Sequence, residues 1–403
     1  MHFALDVAAE RSGGRVLSAF WAACCALILW ASGAAAQGPK TASAPAKDTA
    51  AWPTSRGDNT NSGRSADGKD AVKGEVAWKF MASAPVTATP VAADGVLYVA
   101  CQDSTLLALD RHLGKLLWQT PRRADNDGYT FSCPVVADSA VVAATQGGIV
   151  TAFARRDGAK IWERKMPGEI YSSLRFADGK ILFGCNDNFF HALNVADGTI
   201  AWSYECGDDV GGSAAITKAG KVIFTSHDKF LHIVDLKSGK SVQKFNIGYR
   251  STGQILVARG CAYFCMTGRK YGSVDLLSGE IRWTAEALNE NQQGSCIWEG
   301  KTPEGEAKTL VFVHIGRYVF GFDADSGRQV IKEELGGSGC VSPALGTQYV
   351  YFADVKGGVY ALDPSTGAKK WRLTVEAGSH CSPILLDGSL YIGDGAGWVY
   401  CIR

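Results

Sequence analysis

Ten cysteines scattered between Cys101 and Cys401, and a recurring set of aspartates, are the residues best equipped for chemistry in this chain. Thiolates and imidazoles bind soft and borderline metals, and thiols also carry redox chemistry. Cys133, Cys296, Cys340 and Cys381 each sit at the first strand-like run of a repeat, and His380 adjoins Cys381. Cys133 and Cys296 read as matching positions in opposed repeats. No Cys-x-x-Cys or paired His/Cys spacing supports a metal or redox centre here, so the expectation is small apolar packing on inner strands. Cys261 and Cys265 share one strand and stand roughly 13 Å apart at strand rise, too far to bridge. For the other cysteines, disulfides and free thiols both stay open.

Asp103, Asp187, Asp228, Asp354 and Asp394 each fall between two apolar runs. Five acids on one face can form a cation-binding ring, yet aspartate is also ordinary turn chemistry, and the turn is the expected role. His191 and His232 stand three residues before Asn194 and Asp235. Repeat equivalence accounts for them without a ligand role. The chain has no Gly-rich phosphate loop opening a helix, no zinc-protease helix motif and no G-x-S-x-G elbow.

The elements that must position these residues are set by a repeat. Its clearest copy is Ala361–Trp371, in which Asp363, Gly367 and Trp371 follow one another at four-residue steps. Gly367 suits the positive φ of a tight turn, Asp363 can cap that turn, and Trp371 is a large apolar plate. The same spacing joins Asp110 to Trp118, Asn194 to Trp202 and Asp275 to Trp283. Gly158 and Trp162 keep the pattern after Ala154, while Gln243 and Ile331 take the tryptophan place after Gly239 and Gly327. With Trp78 these positions recur every 40 to 48 residues, a propeller or solenoid period. Each period holds four short runs of β-branched and aromatic residues separated by Gly, Asp and Asn. The expectation is an all-β chain: an eight-bladed β-propeller of four-stranded antiparallel blades. The last unit, from His380 to Ile402, lacks a fourth strand, and Glu75–Phe80 is a strand without a unit. Pairing them closes the ring and leaves no sheet edge bare.

The chain has 403 residues, with 41 Lys+Arg against 40 Asp+Glu, so charge does not argue for nucleic acid. Arg11 and Arg15 precede an apolar run, Val16–Trp30, and Ala34–Ala36 fits a small-x-small cleavage site. Residues 1–36 are therefore expected to be a signal peptide, 37–51 a flexible linker and 52–403 the propeller. The mature chain is then periplasmic or secreted and has no transmembrane helix. Retention of the apolar run would instead give a membrane-anchored sensor.

The repeated A-L-D-x-x-T-G-x-x-x-W pattern resembles the tryptophan-docking repeat of pyrroloquinoline quinone (PQQ)-like propellers. Trp52-Pro53-Thr54-Ser55-Arg56-Gly57-Asp58, followed by Asn61-Ser62-Gly63, is similar to the lead-in of bacterial PQQ-like repeat proteins. The resemblance spans nearly all of Trp52–Arg403. It implies one of two kinds of protein. Quinoprotein dehydrogenases bind PQQ and Ca²⁺ and oxidise alcohols or sugars. The assembly lipoprotein of the Bam complex uses the ring without a cofactor. The dehydrogenases carry a vicinal Cys-Cys pair over the quinone, and here the adjacent pair is Cys24-Cys25, inside the expected signal. The connections between repeats are short, with a modest insertion at Gly300–Lys308. The expectation is a non-catalytic scaffold with no catalytic, cofactor-binding or metal residue assigned. Its partner is another protein or a small ligand at the loop face or channel mouth. The polar loops Pro121–Gly128 (with Arg122, Arg123, Asp125 and Asp127), Glu205–Asp209, Tyr249-Arg250 and Asn289–Gln293 supply that face.

Overall fold

The structure, a computed structural model, describes residues 51–65, 72–122, 132–251, 253–286, 294–339 and 341–403. The expected signal segment and nearly all of the linker lie outside these residues, as do Arg123–Gly128, Asn289–Gln293 and Cys340. Among the described residues no helix is long and apolar enough to cross a membrane.

Eight antiparallel sheets follow one another along the chain as the blades of a propeller. Blade one is Val91–Ala93, Val96–Ala100, Leu106–Asp110 and Leu116–Gln119, ordered from the inside outwards. In blade six the middle two strands run on as one element, Ala307–Asp323. Its first half pairs with Cys296–Lys301 and its second half with Gln329–Gly339. The insertion Gly300–Lys308 only lengthens the first hairpin of this blade. Blade eight is closed by Val76–Met81, which pairs with Trp398–Ile402 and places Trp78 opposite Cys401.

Burial explains the strand patterns. Middle strands such as Phe189–Asn194 are covered on both faces by neighbouring blades and are nearly all buried. Outer strands alternate: in Lys160–Lys165 and Ile200–Glu205 the tryptophan is the one buried residue. Each such tryptophan leans on the turn of the next blade. Trp202 donates its indole N–H to Leu236 O at 3.0 Å, and a Cβ on Gly239 would stand 2.6 Å from its ring. Trp118, Trp162 and Trp283 repeat this on Arg155, Val195 and Ala324. Trp371 docks on the chain entering the closing strand, at Val72 O, 2.8 Å.

The two joins without tryptophan are not bare. At Gln243 the plate comes from Phe245, whose ring covers Gly279. Two residues along a strand return to the same face, so Phe245 replaces what Gln243 lacks. Ile331 covers Gly367, where a Cβ would lie 2.6 Å from its Cγ2.

Candidate functional site

The segment Trp52–Ser65 does not merely lead into the ring. It crosses one end of the central channel and bonds in turn to the innermost strands. Trp52 pairs with Ala92 of blade one, Pro53 O accepts Val136 N–H of blade two at 2.8 Å, and Thr54 Oγ1 donates to Leu174 O of blade three. Asn59 O takes the Ile216 N–H, Thr60 O the Val257 N–H, and Gly63 O the Leu345 N–H, reaching blades four, five and seven. Arg56 Nη2 donates to Ser295 O of blade six at 2.8 Å. Asn61 Nδ2 donates to both Ala214 O and Ile255 O. These partners lie next to the turns that join first and second strands, so the plug closes that side of the channel. The loops between blades emerge on the opposite face, together with the turns between second and third strands.

Above the plug, one residue from each blade forms a ring: Thr89, Cys133, Ser173, Ser213, Gln254, Gly294, Ser342 and Ser382. Backbone N–H groups bond to the hydroxyl of the next blade, as in Gly294 to Ser342 at 2.8 Å, Ser342 to Ser382 at 2.9 Å and Ser173 to Ser213 at 2.8 Å. Gln254 reaches across the channel, donating to Ser173 Oγ at 3.1 Å. Two guanidiniums, Arg56 and Arg175, are fully buried here, and loss of solvation lowers each to about 10. Arg175 donates to Ala214 O and Thr54 Oγ1. The ring thus offers hydroxyls, one thiol and one amide beside two cations. Calcium takes carboxylate and carbonyl oxygens. Among the described residues no ring position carries a carboxylate, so this donor set does not fit the Ca²⁺ that accompanies PQQ.

The ring also corrects the cysteine alignment. Gly294, not Cys296, matches Cys133; Cys296 lies two residues further on, with its strand partner Phe312. All nine described cysteines are free and buried. Cys381 is held by Ser379 and Gly393 and is fully buried.

The five aspartates occupy two different turn positions. Asp354 and Asp394 precede the turn and are fully buried. Asp354 accepts Lys356 N–H, Gly358 N–H and the Tyr360 hydroxyl, and Asp394 is held in the same way by Ala396, Trp398 and Tyr400. These are structural acids. Asp103, Asp187 and Asp228 sit two residues later, in the turn itself. Asp103 caps Thr105, whereas Asp187 and Asp228 pair with His191 and His232 at 2.9 and 3.1 Å.

In blade six the place of Asp354 is taken by His314, nine residues before Asp323 as Asp354 is before Asp363. Burial lowers its imidazole from 6.5 to about 4. A folded-state value below the unfolded one means stability is full above about 6.5 and falls as the pH drops towards 4. The loss reaches about 3 kcal/mol. Urea midpoints measured between pH 7 and 4 are expected to fall, and to flatten in His314→Phe; equal slopes in both proteins would contradict this.

A cleft of about 420 Å³ opens between blades one and two, lined by Thr105, Thr120, Arg122, Thr145, Lys160 and Glu163. On the loop face Tyr171 is 43% exposed, and Arg250 pairs with Asp208 at 3.4 Å.

Ring, docking plates and plug together define an eight-bladed propeller of PQQ-like repeats. The family model described as outer membrane protein assembly factor BamB matches residues 66–169, 126–302 and 272–403, and the chain belongs to that family. The relative from Shewanella oneidensis is 23% identical over 76% of this chain and 68% of its own length. That from Nitrosomonas eutropha is 29% identical, but the match spans only 29% of this chain and 27% of the relative. BamB from Moraxella catarrhalis superposes with a TM-score of 0.66 at 15% identity, covering 81% of this chain and 97% of that one. The quinohemoprotein alcohol dehydrogenase from Comamonas testosteroni gives 0.71 at 14% identity, covering 87% and 80%. At such identities the superpositions speak for the fold alone.

Proposed function

We propose that this protein is an exported, non-catalytic scaffold that serves outer-membrane protein assembly by holding another protein against its loop face. The observation that carries this is the family match over nearly the whole propeller. Two features support it. The channel is crossed by the chain's own plug, and among the described residues its ring offers no carboxylate for the Ca²⁺ that accompanies PQQ. The blades are stitched to one another and to the plug, which gives the variable loops a rigid base.

A photo-crosslinking residue at Tyr171 or Arg250, introduced in the native cells, is expected to give an adduct with an outer-membrane assembly protein. The same residue at Asp138, an exposed turn on the plugged face, is expected to give none. Adducts from Asp138 alone would overturn the choice of face. Stoichiometric retention of PQQ with Ca²⁺ and dye-linked oxidation of alcohols or sugars would overturn the scaffold.

A further inference from the structure

We infer that blades three and four each carry a thiolate–carboxylate–imidazole site for a zinc-like divalent cation. The donors are Cys185, Asp187 and His191 in one site, and Cys206, Asp228 and His232 in the other. In each set the ligand atoms lie within 4.8 Å of one another.

Repeat equivalence supplies the Asp–His pairs but does not supply both sulfurs. Cys185 is the last residue before the turn of blade three, where blade four has Ser226. Cys206 leaves the outer strand of blade three, where blade two has Met166; both backbone N–H groups bond back to the turn between second and third strands of their own blade, Cys206 to Asn188 O and Met166 to Gly148 O. A thiol therefore reaches the same kind of Asp–His pair by two different routes. The loop after Cys206 is pinned to its site, with Gly207 N–H on Asp228 Oδ2 at 3.1 Å.

The imidazoles are set as metal ligands are. Nε2 faces the carboxylate in both sites. Nδ1 is held from behind by a hydroxyl, Ser203 Oγ at 2.8 Å for His191 and Tyr204 OH at 3.2 Å for His232. A hydrogen bond at the far nitrogen fixes tautomer and ring orientation in metal sites. Sulfur, nitrogen and carboxylate oxygen together form a donor set typical of zinc, with a fourth place left for water. On binding the thiol gives its proton to solvent, the neutral imidazole moves its proton from Nε2 to Nδ1, where the hydroxyl oxygen accepts it, and the cation takes the place of the Asp–His hydrogen bond. Lys244, 3.4 Å from Asp228 Oδ2, must yield at the second site. Blade one is a natural control: Cys101 and Asp103 keep their places, but Leu107 stands where the imidazole would be.

The test uses the full exported chain, stripped of metal and titrated with Co²⁺ under a non-thiol reductant. The thiolate-to-cobalt charge-transfer band reports sulfur ligation and ignores carboxylate-only binding. It is expected to saturate at one ion per cluster and to be bleached by Zn²⁺. Cys185→Ser and Cys206→Ser are each expected to remove half of the band, the double variant all of it, and Cys101→Ser none. His191→Gln and His232→Gln keep the thiols and are expected to weaken binding at their own site at least tenfold. No band in the wild-type chain, or a band that survives the double variant, overturns the proposal.

Discussion

Replacing Trp202 by alanine lowers the stability of the propeller by about 3–5 kcal/mol, the cost of deleting a buried aromatic. The side chain is 9% exposed, stacks near Phe190, and gives its N–H to the neighbouring blade. Truncation opens a void between two sheets that cannot close, because each is held by its own ladder. Gln243→Ala, at the equivalent place one blade on, is expected to change stability by no more than about 0.5 kcal/mol, since the side chain is exposed. Phe245→Ala there costs about 2 kcal/mol, less than a fully buried ring because Phe245 is only half-buried. Urea midpoints of the three variants check the ranking. Equal losses for Trp202→Ala and Gln243→Ala would mean that the join is not held by its plate.

Gly63→Ala releases the plug. Gly63 has φ +64°, a conformation that costs other residues about 1–2 kcal/mol. Its added Cβ would overlap the Arg56 guanidinium and stand 3.0 Å from Pro343 O. Overpacking of this kind costs about 1–3 kcal/mol. The combined expectation is a loss of about 2–5 kcal/mol, with Arg56 driven from its buried place. Trypsin reads this directly, because a fully buried Arg56 is protected and a displaced one is cut. A variant that melts like the parent and keeps Arg56 protected would show that the plug tolerates the change.

The ring was legible because its signals repeat. Asp363, Gly367 and Trp371 mean little alone, but phased copies fix strand number, blade count and closure by Val76–Met81. The plug was not legible, although Trp52–Gly63 carries a recognisable lead-in motif. Its partners are main-chain groups of Ala92, Val136, Ile216, Val257 and Leu345, and a backbone group leaves no mark on a sequence. Phe245 could have been found, since strand parity puts it on the face of Gln243. The two classes of aspartate were also within reach: Asp187 lies seven residues before its turn residue Asn194, and Asp354 nine before Asp363. Cys206 was hidden for another reason. It belongs by sequence to one blade and by space to the next.

The last blade draws its outer strand from near the beginning of the described chain and its other three from the end, with Val76 opposite Ile402. Those contacts have the greatest sequence separation among the described residues, and such contacts form late because loop entropy must be lost first. Blades one to seven can assemble as a growing stack, each on its neighbour. The circle cannot shut until the strand Trp398–Ile402 is available. A chain emerging from a ribosome therefore stays an open arc until Trp398–Ile402 has emerged to meet Val76–Met81. The fold carries its own timer, set by where the closing strand lies in the sequence.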